Sequence, residues 1–178
     1  KMKFDIIECS GVLHHMNDPH LGLKSLLGVL QDQGFLKIGL YSELARQHVI
    51  RARDYIEREK IQPNARSIRD FRENVFSGKY SDINLLTSSF DFYTLSSCRD
   101  LCFHAKEHRF TIHQLKETLN SNKLKFLGFI LPETIKSLYK DYFPEDRTLT
   151  NLQNWETFEE KHSNTFGAMY QFWVSKYS

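Results

Sequence analysis

Apolar residues along the chain fall into short, separated runs whose spacing alternates between the two-residue period of a strand and the three-to-four-residue period of a helix. Phe4, Ile6 and Ile7 form a nearly continuous run, which suits a parallel strand covered on both faces. Ser10 and Gly11 permit a turn after it. Asn17, Asp18 and Pro19 read as a helix start, with Asp18 capping and Pro19 at the first helical position. Leu23, Leu26, Leu27 and Leu30 make one apolar face, and Gly34 is the expected C-cap. Leu36, Ile38 and Leu40 then alternate through Phe35 to Tyr41, the next strand. Strand, helix and strand with such short links form a βαβ unit.

Ser42 is expected to cap a long helix with Ala45, Val49, Ala52 and Ile56 on one stripe. Its Arg46, Arg51, Arg53, Glu57 and Arg58 fall mostly on wetter sides, and Pro63 ends it. A second helix is predicted from Ala65 to Phe76, with Ile68, Phe71 and Val75 inward, followed by a helical turn around Ile83 to Leu86. Phe90 to His108 is dense in aromatics without a clean period, and reads as an elaboration over the sheet edge. Thr111 and Gln114 form a capping box for a helix on Ile112, Leu115 and Leu119. Leu124 to Leu131 is a strand, and Pro132 opens a helix through Ile135, Leu138, Tyr139 and Tyr142. Trp155 to Lys161 is a short helix, and Gly167 to Lys176 is the last strand.

A length of 178 residues suits one domain with a real core. Because 24 basic side chains nearly balance 22 acidic ones, no long-range field selects nucleic acid. Three cysteines give no disulfide framework and fit a reducing compartment. With neither a signal-peptide pattern nor an apolar run of about 20 residues, the expectation is a cytoplasmic protein without membrane contact. The chain opens at Lys1 almost directly on a buried strand, so it reads as a segment of a larger fold. Most of its aromatic residues are expected in the core.

In open α/β sheets ligands bind beyond the carboxyl ends of the strands, which draws Glu8 to His15 and Tyr41 to Glu43 toward one site. A neutral imidazole at His14 or His15 could act as a general base, and could equally hydrogen-bond the loop. Cys9 is expected to pack rather than react. Cys98, Cys102, His104 and His108 are zinc-ligand types, but the six-residue step from Cys98 to His104 turns off the shared helical face, so no metal is expected.

The stretch FDIIECSGVLHHMNDP, Phe4 to Pro19, resembles the fourth-strand segment of class I methyltransferases that use S-adenosylmethionine. GFLKIGLYSELARQHV, Gly34 to Val49, resembles the next strand and its helix. CRDLCFHAKEHRFT, Cys98 to Thr111, is similar to a stretch of bacterial-type methyltransferases found behind tetratricopeptide repeats. The resemblance implies a partial Rossmann-like α/β fold, strands four to seven, with the last two as an antiparallel hairpin-like edge. A mostly helical insertion would cover residues 43–110 and a smaller one residues 132–165 of this C-terminal portion of the domain. It assigns Glu8, Cys9, Ser10, Gly11 and Val12 to S-adenosylmethionine, and His14, His15, Glu107 and His108 to catalysis. Tyr41, Arg46, Arg53, Arg99, His104 and Arg109 would face the methyl acceptor, whose identity stays open. Tyr41, Phe92, Tyr93 and Phe103 could wall the pocket, although core burial accounts for each as well. A solvated helix surface with local ion pairs explains the charged residues equally.

The family's Gly-rich loop after the first strand and the acid ending the second strand have no counterpart here, so the chain alone is expected to be inactive. Three readings follow: part of a methyltransferase completed by other chain segments; an interaction or structural module, as a homo-oligomer or pairing across an exposed sheet edge; or an unrelated α/β hydrolase using a histidine. The absence of a Gly-x-Ser-x-Gly elbow counts against the last.

Overall fold

In the computed structural model, which describes residues 2–103 and 107–177, contacts divide the chain into two compact units. One comprises Lys1–Ala45 with Glu107–Ser178, and the other Arg46–Lys106. The first unit holds strands β1 (Phe4–Ser10), β2 (Leu30–Tyr41), β3 (Leu124–Phe129) and β4 (Met169–Lys176) in a sheet of order β1-β2-β4-β3. Helix α1 (Pro19–Val29) makes the crossover between the parallel β1 and β2, as the apolar pattern predicts. Asp18 caps it, accepting the N–H groups of His20 at 2.8 Å and Leu21 at 3.1 Å.

The last two strands form the expected antiparallel edge of the sheet. The last strand inserts between β2 and β3, antiparallel to both, and leaves β3 at the edge. Tyr170, Phe172 and Val174 alternate along β4 and are buried on one face of the sheet. They join Leu36, Ile38 and Leu40 of β2 in the core.

Two boundary expectations fail for packing reasons. Helix α1 stops at Val29, so fully buried Leu30 begins β2 instead of ending the helical stripe. Gly34 lies inside β2 and is not a C-cap; a Cβ there would sit 2.9 Å from the Asp5 carbonyl oxygen and 2.7 Å from the Leu30 side chain. Close approach of β1, rather than helix termination, requires the glycine.

In the second unit, helices α2 (Gln47–Arg58), α3 (Ala65–Phe76) and α4 (Leu95–Phe103) surround their own core. Val49, Ala52, Ile56, Ile68, Phe71 and Val75 are buried on the predicted stripes. Ser42 does not cap α2. Its hydroxyl accepts the Ala45 N–H at 3.0 Å and closes one turn before the helix starts. Arg46, expected on a wetter side, is buried. The aperiodic stretch from Phe90 forms a 3-10 turn and then α4, whose Cys98, Leu101 and Cys102 face inward.

Helix α5 (Ile112–Ser121) carries the predicted capping box. Helices α6 (Glu133–Tyr142) and α7 (Leu152–Lys161) follow the third strand. Among Ile135, Leu138, Tyr139 and Tyr142 of α6, Tyr139 is the fully buried one; its ring stacks on Trp155 at 3.7 Å. No helix among the described residues is long and apolar enough to cross a membrane.

Candidate functional site

Parallel pairing sets the carboxyl ends of β1 and β2 side by side, with Ser10 opposite Gly39. The strands approach closely there, since a Cβ at Gly39 would lie 2.9 Å from the Ser10 Cα. Gly11 turns the chain with φ +75°, a conformation that L side chains rarely adopt, and nothing stands within 4 Å of where its Cβ would be. The buried Ser10 Oγ has no hydrogen-bond partner among the described residues. Val12 is exposed, whereas Cys9 is buried and burial pushes its thiol pKa up. Glu8 is tied to β2 through Lys37 at 2.7 Å.

Beyond the glycine, Leu13–His15 forms a 3-10 turn that separates the two histidines. His14 is buried and stacks on Tyr41, ring centroids 3.7 Å apart at 26°. His15 is exposed and meets both rings edge-on, at 4.4 Å from His14 and 5.7 Å from Tyr41. The predicted doublet thus contains one platform ring and one accessible imidazole.

The segment 107–110 is laced onto these strand ends by its backbone. His108 N–H donates to the His14 carbonyl at 2.8 Å, and Phe110 N–H donates to the Tyr41 carbonyl at 2.9 Å. Phe110 in turn accepts from Glu43 N–H at 2.9 Å. Arg109 pairs with Glu43 at 2.9 Å and lies 3.9 Å from the Glu107 carboxylate, whose side chain is almost wholly buried. His14, His15, Tyr41, Glu107, His108 and Arg109 are therefore assembled within one unit.

Arg46, Arg53 and Arg99 belong to the second unit. Arg53 donates to the Leu101 carbonyl at 2.8 and 3.2 Å, so it ties α2 to α4, and Arg99 is exposed. Phe92 is core, Phe103 packs on Phe71 at 5.8 Å, and the Tyr93 hydroxyl donates to the Thr87 carbonyl. His104 lies outside the described residues. Among the described residues, no group of three or more His, Cys, Asp or Glu is placed to hold a metal.

One group beside the site is absent from the sequence reading. Glu159 of α7 is buried and accepts hydrogen bonds from Ser42 and Tyr170, each at 2.7 Å. Ser42 follows Tyr41 directly, and its N–H donates to the Ala168 carbonyl at 2.9 Å. A buried carboxylate thus fixes the end of β2. Burial raises its pKa above the usual carboxylate value, and the two hydroxyl donors pull the other way. The run Phe-Glu-Glu-Lys reads as surface, and only the inward spacing of Leu152, Trp155 and Glu159 could have exposed the anomaly.

This architecture, a mixed α/β Rossmann-like sheet ending in an inserted antiparallel strand, is a class I methyltransferase fold. It is shared with PKMT2 from Rickettsia typhi at a TM-score of 0.70 and 14% identity, over 98% of this chain and 36% of that one. The structure of PKMT2 in complex with AdoHcy gives a TM-score of 0.69 at 15% identity, with the same coverage of both chains. An uncharacterised protein of Synechococcus, syc1184_c, is 31% identical over 138 residues, 71% of this chain and 32% of that protein. The chain spans about a third of the length of the proteins it matches. No family model matches the sequence.

Proposed function

We propose that this chain is the C-terminal portion of an S-adenosylmethionine-dependent methyltransferase domain, acting on an unidentified acceptor within a longer protein. The observation that carries the reading is the turn at Ser10–Val12: a left-handed glycine facing open space, beside a buried hydroxyl without a partner, at the carboxyl ends of two parallel strands. A ligand backed against that turn would find open space at Gly11, and the residues present fit the cofactor in that respect. The AdoHcy complex of PKMT2, a protein of the same fold, supports this choice of ligand.

When bound, S-adenosylmethionine supplies a methyl group on a sulfonium sulfur, an electrophile that needs neither a metal nor a protein nucleophile. The chain's own contribution is orientation and proton removal. Exposed His15 is the better base of the doublet, because His14 is buried against Tyr41. His108, also exposed, is the second candidate for an acceptor proton, and the Arg109–Glu43 pair holds its segment in place.

Gly11→Val in the longer protein tests the turn. The substitution strains the backbone by roughly 1–2 kcal/mol and fills the open space, so AdoHcy affinity measured by calorimetry falls at least tenfold while the fold persists. Unchanged affinity in a folded variant refutes the assignment. A second reading, an interaction module, draws on the outer edge of β1, unpaired among the described residues, and on exposed Met2, Phe4 and Ile6. Concentration-dependent dimerisation of this chain without AdoHcy binding in the longer protein would favour it.

A further inference from the structure

We propose that Met169 is a cofactor-contacting residue whose thioether sulfur recognises the positively charged sulfonium of S-adenosylmethionine. The inference rests on the methyl-transfer reading and adds to it a residue from the far end of the chain. Met169 opens β4 opposite Tyr41, the residue on which His14 stacks. Its backbone is fixed there. The Met169 N–H donates to the Phe166 carbonyl at 3.1 Å, and the Ala168 carbonyl just before it accepts the Ser42 N–H at 2.9 Å.

Alternation along the strands puts Met169 and Gln171 on one face of the sheet with their partners Tyr41 and Gly39. The Met169 side chain uses the space that the glycine leaves. A Cβ at Gly39 would stand 2.9 Å from the Met169 Sδ, and 2.9 and 3.0 Å from the Cα and Cβ of Ser10. The sulfur therefore lies over Gly39 and reaches across β2 toward the strand that carries the Ser10–Gly11 turn. One half-buried side chain thus joins the turn assigned to the cofactor and the strand end that carries the histidine platform.

The charged groups on the same face of β1 and β2, Glu8 and Lys37, pair with each other at 2.7 Å. A cation seated near Ser10 is therefore left to a neutral group, and a thioether suits it because its sulfur is soft and polarisable. Beside a sulfonium it attracts the positive charge without the desolvation cost of burying a carboxylate. Beside the neutral sulfur of AdoHcy it offers packing alone. The two ligands differ by one methyl group and its charge, so comparing them separates recognition of the cation from a merely structural role.

The test is calorimetric titration of both ligands into the longer protein and into its Met169→Leu variant, which keeps the apolar volume and removes the sulfur. Affinity for S-adenosylmethionine should fall about fivefold, the size expected for losing one soft sulfur contact, and affinity for AdoHcy by less than about twofold. Met169→Ile, β-branched and suited to a strand, repeats the comparison should Met169→Leu not fold. An equal loss for the two ligands, a larger loss for AdoHcy, or no loss for either would overturn the proposal. Failure of the unsubstituted protein to bind either ligand is a different result: it refutes the methyl-transfer reading itself, and this inference with it.

Discussion

At the scale of single residues, burial divides chemically similar side chains into different roles. His14 and His15 are neighbours in sequence, yet one is a stacked platform and the other an exposed imidazole. In the longer protein, His15→Ala should therefore lower methyl-transfer kcat more than AdoHcy affinity, while His14→Phe, which keeps a stacking ring, should change both less than threefold; the reverse order in steady-state kinetics would reassign the base. Glu159 gives a pH prediction. Its folded-state pKa is raised by burial, so the fold binds this proton more tightly than the unfolded chain does. Its contribution to stability is present in full below the ordinary carboxylate pKa and is lost as pH rises through the raised folded value. Glu156 acts in the same direction, and the donors Ser42 and Tyr170 oppose it. Glu159→Gln stays neutral, so its unfolding free energy should fall less than that of the wild type between acidic and neutral pH, measured by urea titration. Glu159→Ala strands two buried hydroxyls and should cost about 1–3 kcal/mol for each.

At the scale of elements, what could be read from sequence was what local chemistry decides. The Asp18 cap, the Thr111 and Gln114 capping box, the inward stripe of α3 and the β1-α1-β2 unit all depend on residues close together in the chain, and all are present. The errors arose where a distant segment intervened. Gly34 has a sequence position typical of a helix C-cap, but the Asp5 carbonyl of β1 explains it. Ser42 has the chemistry of a cap, but it spends its proton on Glu159, 117 residues away. The insertion of β4 between β2 and β3 cannot be read from any one strand's pattern, because a central and an edge position use the same alternation. The site behaved similarly. The turn at Ser10 and Gly11 and the histidine doublet were legible, while the backbone lacing of His108 and Phe110 onto His14 and Tyr41 was not, because it joins segments far apart in the chain. Gly39→Val tests the close approach of β1 and β2: a side chain meeting backbone at 2.9 Å overpacks the pair, with an expected loss of about 1–3 kcal/mol in thermal or chemical unfolding.

At the scale of the molecule, the sheet of the first unit has unequal sides. Strands β2 and β4 are paired on both flanks, whereas β1 and β3 each pair on one flank alone among the described residues, and β1 also exposes Phe4 and Ile6. Hydrogen exchange should reflect this, with the most persistent protection in β2 and β4 and the fastest-exchanging strand amides along the outer edges of β1 and β3. The β1 edge flanks the turn proposed for the cofactor, and the proposal has other segments of a longer protein supplying the rest of that site. Calorimetric titration of S-adenosylhomocysteine into this 178-residue chain and into the longer protein tests that proposal most directly. The account predicts stoichiometric binding by the longer protein and none that saturates for this chain alone. Stoichiometric binding by this chain alone, or none by either, would contradict it.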